Sequence, residues 1–204
     1  TYSDSDHSLP FLEKSHIETA QKINEKTAKA LKHKFGEGYK GILYGGFIAT
    51  NAGVELIEYN ARFGDPEAMN VLSILDSDLI EICEAIISEN LNNTKIVFKN
   101  LATVCKYAVP EGYPDDPVKG HQIDVSEVKN KNILFYASVE NKNDNLIQIG
   151  SRAIAVVGHG ETIWEAEQIA EKNILKVKGP LFHRKDIGTT DLIQKKINHM
   201  SSLK

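Results

Sequence analysis

The chain has 204 residues, 41% of them hydrophobic, and a formal net charge of −4. This size and composition predict a globular protein with a sizeable core, and the mildly acidic balance gives no electrostatic support for a nucleic-acid partner. No apolar run approaches the roughly 20 residues of a membrane-spanning helix, and the polar residues 1–10 lack the apolar region of a signal peptide. We therefore expect a cytoplasmic protein with neither a nucleic-acid nor a membrane partner.

Apolar periodicity predicts a mixture of helices and strands along the chain. In chain order the predicted elements are a helix over 15–35, a hairpin of strands 41–50 and 54–60, helices over 66–75 and 77–90, strands over 101–109, 133–139, 146–149 and 153–157, a helix over 162–177, and a last helix from about 190 to 200. The pattern changes near residues 91–100. This change predicts an α+β first part, 1–95, and a compact sheet with a packed helix, 96–204.

Local signals add detail to several of these elements. Both faces of the hairpin are rich in apolar residues, which predicts a covered sheet. Cys83 falls on the predicted buried stripe of its helix, and Trp164 and Ile169 fall at core spacing in theirs. The Gly158-His159-Gly160 segment lacks the further residues of a phosphate-binding motif, so it indicates a turn.

The second strand of the hairpin ends in a row of polar side chains. Because side chains alternate along a strand, Glu58, Asn60 and Arg62 are predicted to share one face. Carboxylate and amide oxygens suit Mg²⁺ or Mn²⁺, and the planar fork of arginine suits phosphoryl oxygens. Only three of the 24 basic residues are arginine, which favours a specific role for Arg62. An ordinary polar strand face with a salt-bridged arginine is the alternative that these residues leave open.

The charged residues that follow this row have structural explanations as well. Asp65 before Pro66 has the pattern of a helix N-cap with proline at the first helical position, and Glu67 would lie in the first turn. Residues 110–120 form a turn-rich loop. Lys119 in this loop could present its ammonium to a phosphate, although a solvated lysine is the commoner case.

Motifs along nearly the whole chain resemble those of one enzyme family. Residues 57–67, IEYNARFGDPE, resemble the E-[FY]-N-x-R-F-G-D-P-E signature of the glycinamide ribonucleotide synthetase (phosphoribosylamine–glycine ligase) family, in the ATP-grasp superfamily. Residues 41–46, GILYGG, resemble the family's G-x-L-Y-A-G strand. Residues 112–114, 151–152 and 184–188 resemble segments of its C-terminal domain, in the same order.

This resemblance implies a fold and a reaction. Residues 1–95 would be the C-terminal part of an ATP-grasp domain, an antiparallel sheet with helices, and 96–204 a small, mostly antiparallel β domain with packed helices. The family joins glycine to 5-phosphoribosylamine in purine biosynthesis while ATP becomes ADP and phosphate. The glycine carboxylate first takes the γ-phosphoryl group, and the amine then displaces phosphate.

The resemblance also implies roles for individual residues. Glu58 and Asn60 would be ligands of Mg²⁺ or Mn²⁺ between the ATP phosphates, and Arg62 would bind ATP and stabilise charge on the phosphoryl group. The candidate substrate contacts are Asp65, Glu67, Lys119 and Arg152.

The family's N-terminal half, with the phosphoribosylamine domain and most of the lid subdomain, is not matched by this sequence. The resemblance therefore implies a fragment of the ligase that is inactive alone. Two alternatives stay open: a free-standing module that binds a metal–phosphate ligand or a partner subunit, and another ATP-grasp carboxylate–amine ligase with a different amine.

Overall fold

The computed structural model describes residues 1–203, and within them it contains five α-helices, two short 3₁₀ helices and ten strands. The helices are α1 (Lys14–Phe35), α2 (Glu67–Ser73), α3 (Leu79–Ile87), α4 (Ile163–Ile174) and α5 (Thr190–Ser202). The strands are β1 (Tyr2–Ser3), β2 (Tyr44–Thr50), β3 (Gly53–Asn60), β4 (Ala102–Pro110), β5 (Gln122–Ile123), β6 (Leu134–Tyr136), β7 (Val139–Lys142), β8 (Asn145–Gln148), β9 (Ile154–Gly160) and β10 (Leu181–Phe182). The α+β class expected from the sequence is confirmed. In this described part of the chain, no helix is both long and apolar enough to cross a membrane.

A five-stranded antiparallel sheet contains most of the core. Its strand order is β1–β4–β9–β6, and β10 pairs with the end of β4. The two central strands, β4 and β9, are buried on both faces, because α4 packs against one face and α2 against the other. The pairing of β1 with β4 joins the first residues of the chain to this sheet. This pairing crosses residue 95, and the predicted division there stays a prediction.

Small residues let α4 approach the central sheet closely. Ala166 and Ala170 are fully buried, and a Cβ added to Gly158 on β9 would stand 2.7 Å from the amide nitrogen of Ala170. The turn predicted around Gly158 is therefore wrong, because this glycine continues the strand beneath the helix. The core positions predicted for Trp164 and Ile169 are also wrong, since their side chains are 59% and 40% exposed.

The α3 helix begins after Asp78, whose carboxylate accepts a hydrogen bond from the amide of Ile80 at 2.7 Å. Ile82 and Ala85 form its buried face. Cys83 is exposed, so its predicted burial is wrong. Of the predicted stripe, Ile82 is buried, whereas Leu79 is 38% exposed.

The hairpin of β2 and β3 is a separate two-stranded sheet. The α1 helix packs against it, and the Tyr59 hydroxyl donates a hydrogen bond to the Asn24 side chain at 2.8 Å. No residue of either strand is buried, and Ile57 is 65% exposed. The prediction that both faces of this hairpin are covered is therefore wrong for residues 1–203, because one helix cannot cover both faces of a sheet.

Candidate functional site

A pocket of about 370 Å³ lies where β3 ends and the connection between β8 and β9 approaches it. It is lined by Tyr44, Gly46, Ile57, Glu58, Asn60, Arg62, Gly64, Asp65, Glu67 and Arg152. Six of the seven residues selected from the sequence as site residues are in this lining. The seventh, Lys119, is exposed in the loop after β4 and does not line the pocket.

Glu58 and Asn60 lie together on one face of β3. The Asn60 amide nitrogen donates a hydrogen bond to the Glu58 carboxylate at 3.0 Å. No group of three His, Cys, Asp or Glu side chains within residues 1–203 could hold a metal ion. The two residues therefore offer one carboxylate and one amide oxygen, a donor set that fits a hard cation completed by phosphate oxygens and water. A shared cation would replace the present hydrogen bond, with the amide turned to offer its oxygen.

Arg62 follows the end of β3, so the strand does not fix the direction of its side chain. Its Nη1 donates a hydrogen bond to the backbone oxygen of Phe63 at 2.7 Å. Among the residues that the structure describes, Arg62 makes no ion pair, in contrast to the alternative of a salt-bridged surface arginine. Its remaining N–H donors are available to an anion in the pocket.

Asp65 does not cap the α2 helix. The helix begins at Glu67 after Pro66, without a side-chain cap, and the Asp65–Pro66 peptide bond is cis. The Asp65 carboxylate instead accepts a hydrogen bond from the Tyr107 hydroxyl at 2.8 Å and forms an ion pair with Arg152 at 3.0 Å. The predicted N-cap is therefore wrong, because two partners from the second part of the chain occupy both carboxylate oxygens.

Burial and neighbouring charges change the ionisation of the tyrosines at the site. Burial raises the pKa of Tyr107 strongly, and the hydrogen bond to Asp65 raises it further. Burial also raises the pKa of Tyr44, and the nearby Glu67 carboxylate adds to this effect. Both phenols are therefore neutral hydrogen-bond donors at neutral pH.

Tyr44 and Tyr107 were not selected from the sequence as site residues. Tyr44 belongs to the segment 41–46 used for the family resemblance, so a signal for it was present. Tyr107 had no local signal, because its role depends on Asp65, which lies 42 residues away in the chain.

A second pocket, of about 390 Å³, meets the first at Arg152. Arg184 also lines it, so the three arginines of the chain, Arg62, Arg152 and Arg184, all line one of the two pockets. Arg184 is paired with Asp186 through contacts of 2.6 and 3.0 Å.

Two family models match most of the chain. The model of the phosphoribosylglycinamide synthetase ATP-grasp (A) domain matches residues 2–68, and that of the C domain of the same synthetase matches residues 103–190. The chain belongs to the phosphoribosylglycinamide synthetase family. The pocket residues of the first part, up to Glu67, lie in the first match, and Arg152 lies in the second.

Relatives of this synthetase family agree with the family models. The chain is 53% identical to the phosphoribosylamine–glycine ligase of Methanocaldococcus jannaschii and 51% identical to that of Pyrococcus furiosus. Each comparison covers 100% of this chain and 46% of the relative. The chain thus spans about half the length of the curated relatives that it matches.

Solved structures show the same fold. The crystal structure of phosphoribosylamine–glycine ligase from Thermotoga maritima matches with a TM-score of 0.72 at 28% identity, over 86% of this chain and 44% of that one. Urea amidolyase of K. lactis matches with a TM-score of 0.54 at 16% identity, over 98% of this chain and 12% of that one. The second likeness concerns the fold alone.

Proposed function

We propose that this chain forms part of the active site of an ATP-dependent ligase that joins glycine to 5-phosphoribosylamine. The observation that carries the proposal is the convergence of six charged or amide side chains on one pocket in a member of the synthetase family. Relatives named phosphoribosylamine–glycine ligase are about twice as long as this chain. The complete activity therefore belongs to a protein that also contains the part of those relatives that this chain does not match.

Glu58 and Asn60 would hold the divalent cation of the reaction, Mg²⁺ or Mn²⁺. When bound, such an ion neutralises the charge that develops on phosphoryl oxygens. The family's ATP-grasp domain supports ATP as the co-substrate. The choice between the two metals stays open, because both accept oxygen ligands.

The protein side chains would position the reactants and stabilise negative charge. Arg62 keeps free N–H donors at the pocket and would bind the transferred phosphoryl group. Glu67, beside Tyr44, offers a carboxylate that would accept a hydrogen bond from a substrate amine. A substrate contact by Lys119 stays a prediction, because its loop lies outside the pocket.

Replacement of Glu58 in the complete gene product tests this proposal. With ATP, glycine and phosphoribosylamine, we expect the wild-type protein to release ADP and to form the amide of glycine, as identified by mass spectrometry. The Glu58→Gln variant keeps the side-chain shape and removes the charge. Its kcat/KM should fall about a hundredfold, as when an electrostatic stabilising group is removed.

The matched control is Glu55→Gln on the same strand, since Glu55 is exposed and does not line the pocket. We expect this variant to keep wild-type activity. Equal activity of the Glu58→Gln variant and the wild-type protein would contradict the metal site. Amide formation with another amine, and none with phosphoribosylamine, would contradict the proposed substrate.

A further inference from the structure

The Asp65 carboxylate joins three separate segments of the chain at the edge of the first pocket. Its Oδ1 accepts the hydrogen bond of Tyr107 on β4, at 2.8 Å, and its Oδ2 accepts a hydrogen bond from Nη1 of Arg152, at 3.0 Å. The backbone oxygen of Asp65 accepts a second hydrogen bond from the same Nη1, at 3.2 Å. Arg152 lies 87 residues from Asp65, in the connection between β8 and β9.

These contacts fix a side chain that would otherwise be mobile. The Arg152 side chain is 36% exposed and comes from a loop, and ordering such a long side chain costs rotamer entropy. Its guanidinium also lies over the Tyr107 ring, 5.6 Å from the centroid. The ion pair, the backbone contact and the aromatic ring together hold the guanidinium in one orientation.

The orientation leaves donors for a ligand. Both contacts with Asp65 use Nη1, and a side-chain hydrogen bond with Tyr113 occupies one further donor, so that part of the fork stays available. Arginine carries five N–H donors in a planar fork that matches carboxylate and phosphoryl oxygens. Arg152 lines the pocket that also contains Glu58, Asn60 and Arg62.

We propose that Asp65 is a positioning residue, which holds Arg152 so that its free donors bind an anionic oxygen of the acceptor substrate, a carboxylate or a phosphate. This proposal rests on the proposed function. ATP binding would depend on the row that ends in Arg62, whereas Arg152 comes from the connection between β8 and β9 and is held by Asp65. Loss of the Asp65 carboxylate should therefore weaken the binding of the acceptor substrate more than the binding of ATP.

A double-mutant cycle in the complete gene product tests the coupling. Asp65→Asn should raise the KM of glycine or of phosphoribosylamine about tenfold, which is the loss of affinity expected when one charge-assisted hydrogen bond is removed. The same variant should change the KM of ATP less than about twofold. In an Arg152→Ala background the same replacement should change neither KM further, because Asp65 acts through Arg152. An equal penalty in both backgrounds would overturn the positioning role.

Asp186 supplies the matched control for the charge change. It forms an ion pair with Arg184 at 2.6 Å, and its side chain is 47% exposed, against 48% for Asp65. We expect Asp186→Asn to leave all three KM values unchanged. Equal KM changes in the two variants would show a general effect of surface charge and overturn the proposal.

A second readout needs no turnover. In the complete gene product labelled with ¹⁵N-arginine, the signals lost in Arg152→Lys and in Arg184→Lys assign the side-chain Nε–H groups of these two arginines. Asp65→Asn should shift the Arg152 signal alone and speed the exchange of its Nη protons, whereas Asp186→Asn should shift the Arg184 signal alone. An unchanged Arg152 signal overturns the positioning role even in an active enzyme. Absence of turnover by the wild-type protein overturns the proposed function instead.

Discussion

Lys106 is the buried charge whose removal the structure predicts to be most destabilising. Its side chain on β4 is completely buried, and its ammonium contacts the carboxylates of Glu167 at 2.6 Å and Glu171 at 2.7 Å. It also donates a hydrogen bond to the backbone oxygen of Lys185 at 3.0 Å. The three contacts tie the central sheet to α4 and to the segment that follows β10.

The Lys106→Met variant keeps the length of the side chain and removes the ammonium. The Glu167 carboxylate, only 6% exposed, then has no cation beside it, while Glu171 keeps His183 at 3.0 Å. Removing one partner of a buried ion pair costs about 3–5 kcal/mol. For a chain of this length, we expect Tm to fall by about 6–20 °C.

Urea and thermal unfolding followed by circular dichroism measure this loss directly. The matched control is Lys142→Met, because Lys142 forms an exposed pair with Glu140 at 3.1 Å, and the two side chains are 57% and 50% exposed. This variant should lose less than about 1 kcal/mol. Equal losses in the two variants, or a loss below about 1 kcal/mol for Lys106→Met, would refute the reasoning.

Acid should reduce the difference in unfolding free energy between the Lys106→Met variant and the wild-type protein. Burial acts to raise the pKa of Glu171, but hydrogen bonds from Lys106 and His183 outweigh it, so that its pKa lies below the ordinary 4.5. A depressed pKa stabilises the folded state above the unfolded-state value, and this stability disappears as the pH falls through the folded-state value. The wild-type protein therefore loses this contribution as the pH falls below 4.5, whereas the variant keeps only the part that His183 supplies and has less to lose.

Two further predictions concern packing and thiol reactivity. Gly158→Ala should cost about 3 kcal/mol or more in the unfolding free energy, because the added Cβ would meet the α4 backbone near Ala170. The control Gly38→Ala has open space around it and should cost far less. Similar losses of unfolding free energy in the two variants would contradict the close approach of α4 to β9. Burial raises the pKa of Cys105 to about 12, while Cys83 is exposed, so a thiol reagent at pH 8 should modify one cysteine per native chain and two after unfolding. Rapid native reaction at both thiols would contradict the burial of Cys105.

The features that the sequence predicted correctly depend on local patterns. The hairpin follows from two apolar runs with a short turn between them, and the shared face of Glu58 and Asn60 follows from strand alternation. The family resemblance, in turn, named Arg152, which no local pattern connects to the pocket. Its position there depends on the pairing of distant strands.

The wrong predictions share a physical reason. Asp65 has the local pattern of an N-cap, but its partners lie 42 and 87 residues away, and these tertiary contacts replace the cap. On α4 the apolar spacing predicts that the large Trp164 is buried, whereas the close approach of the helix to the sheet leaves room only for small residues such as Ala166. A lysine inside the apolar run of β4 was a usable signal for the network of Lys106, because a charge buried in a strand requires partners.

The most direct test of the account is whether Glu58 helps to bind a divalent cation together with ATP. Electron paramagnetic resonance of Mn²⁺ measures this in the complete gene product, independently of turnover. In the presence of ATP, we predict that Glu58→Gln weakens Mn²⁺ binding by at least about tenfold, while Glu55→Gln binds Mn²⁺ as the wild-type protein does. Equal Mn²⁺ affinity of the wild-type protein and the Glu58→Gln variant would contradict the proposed site.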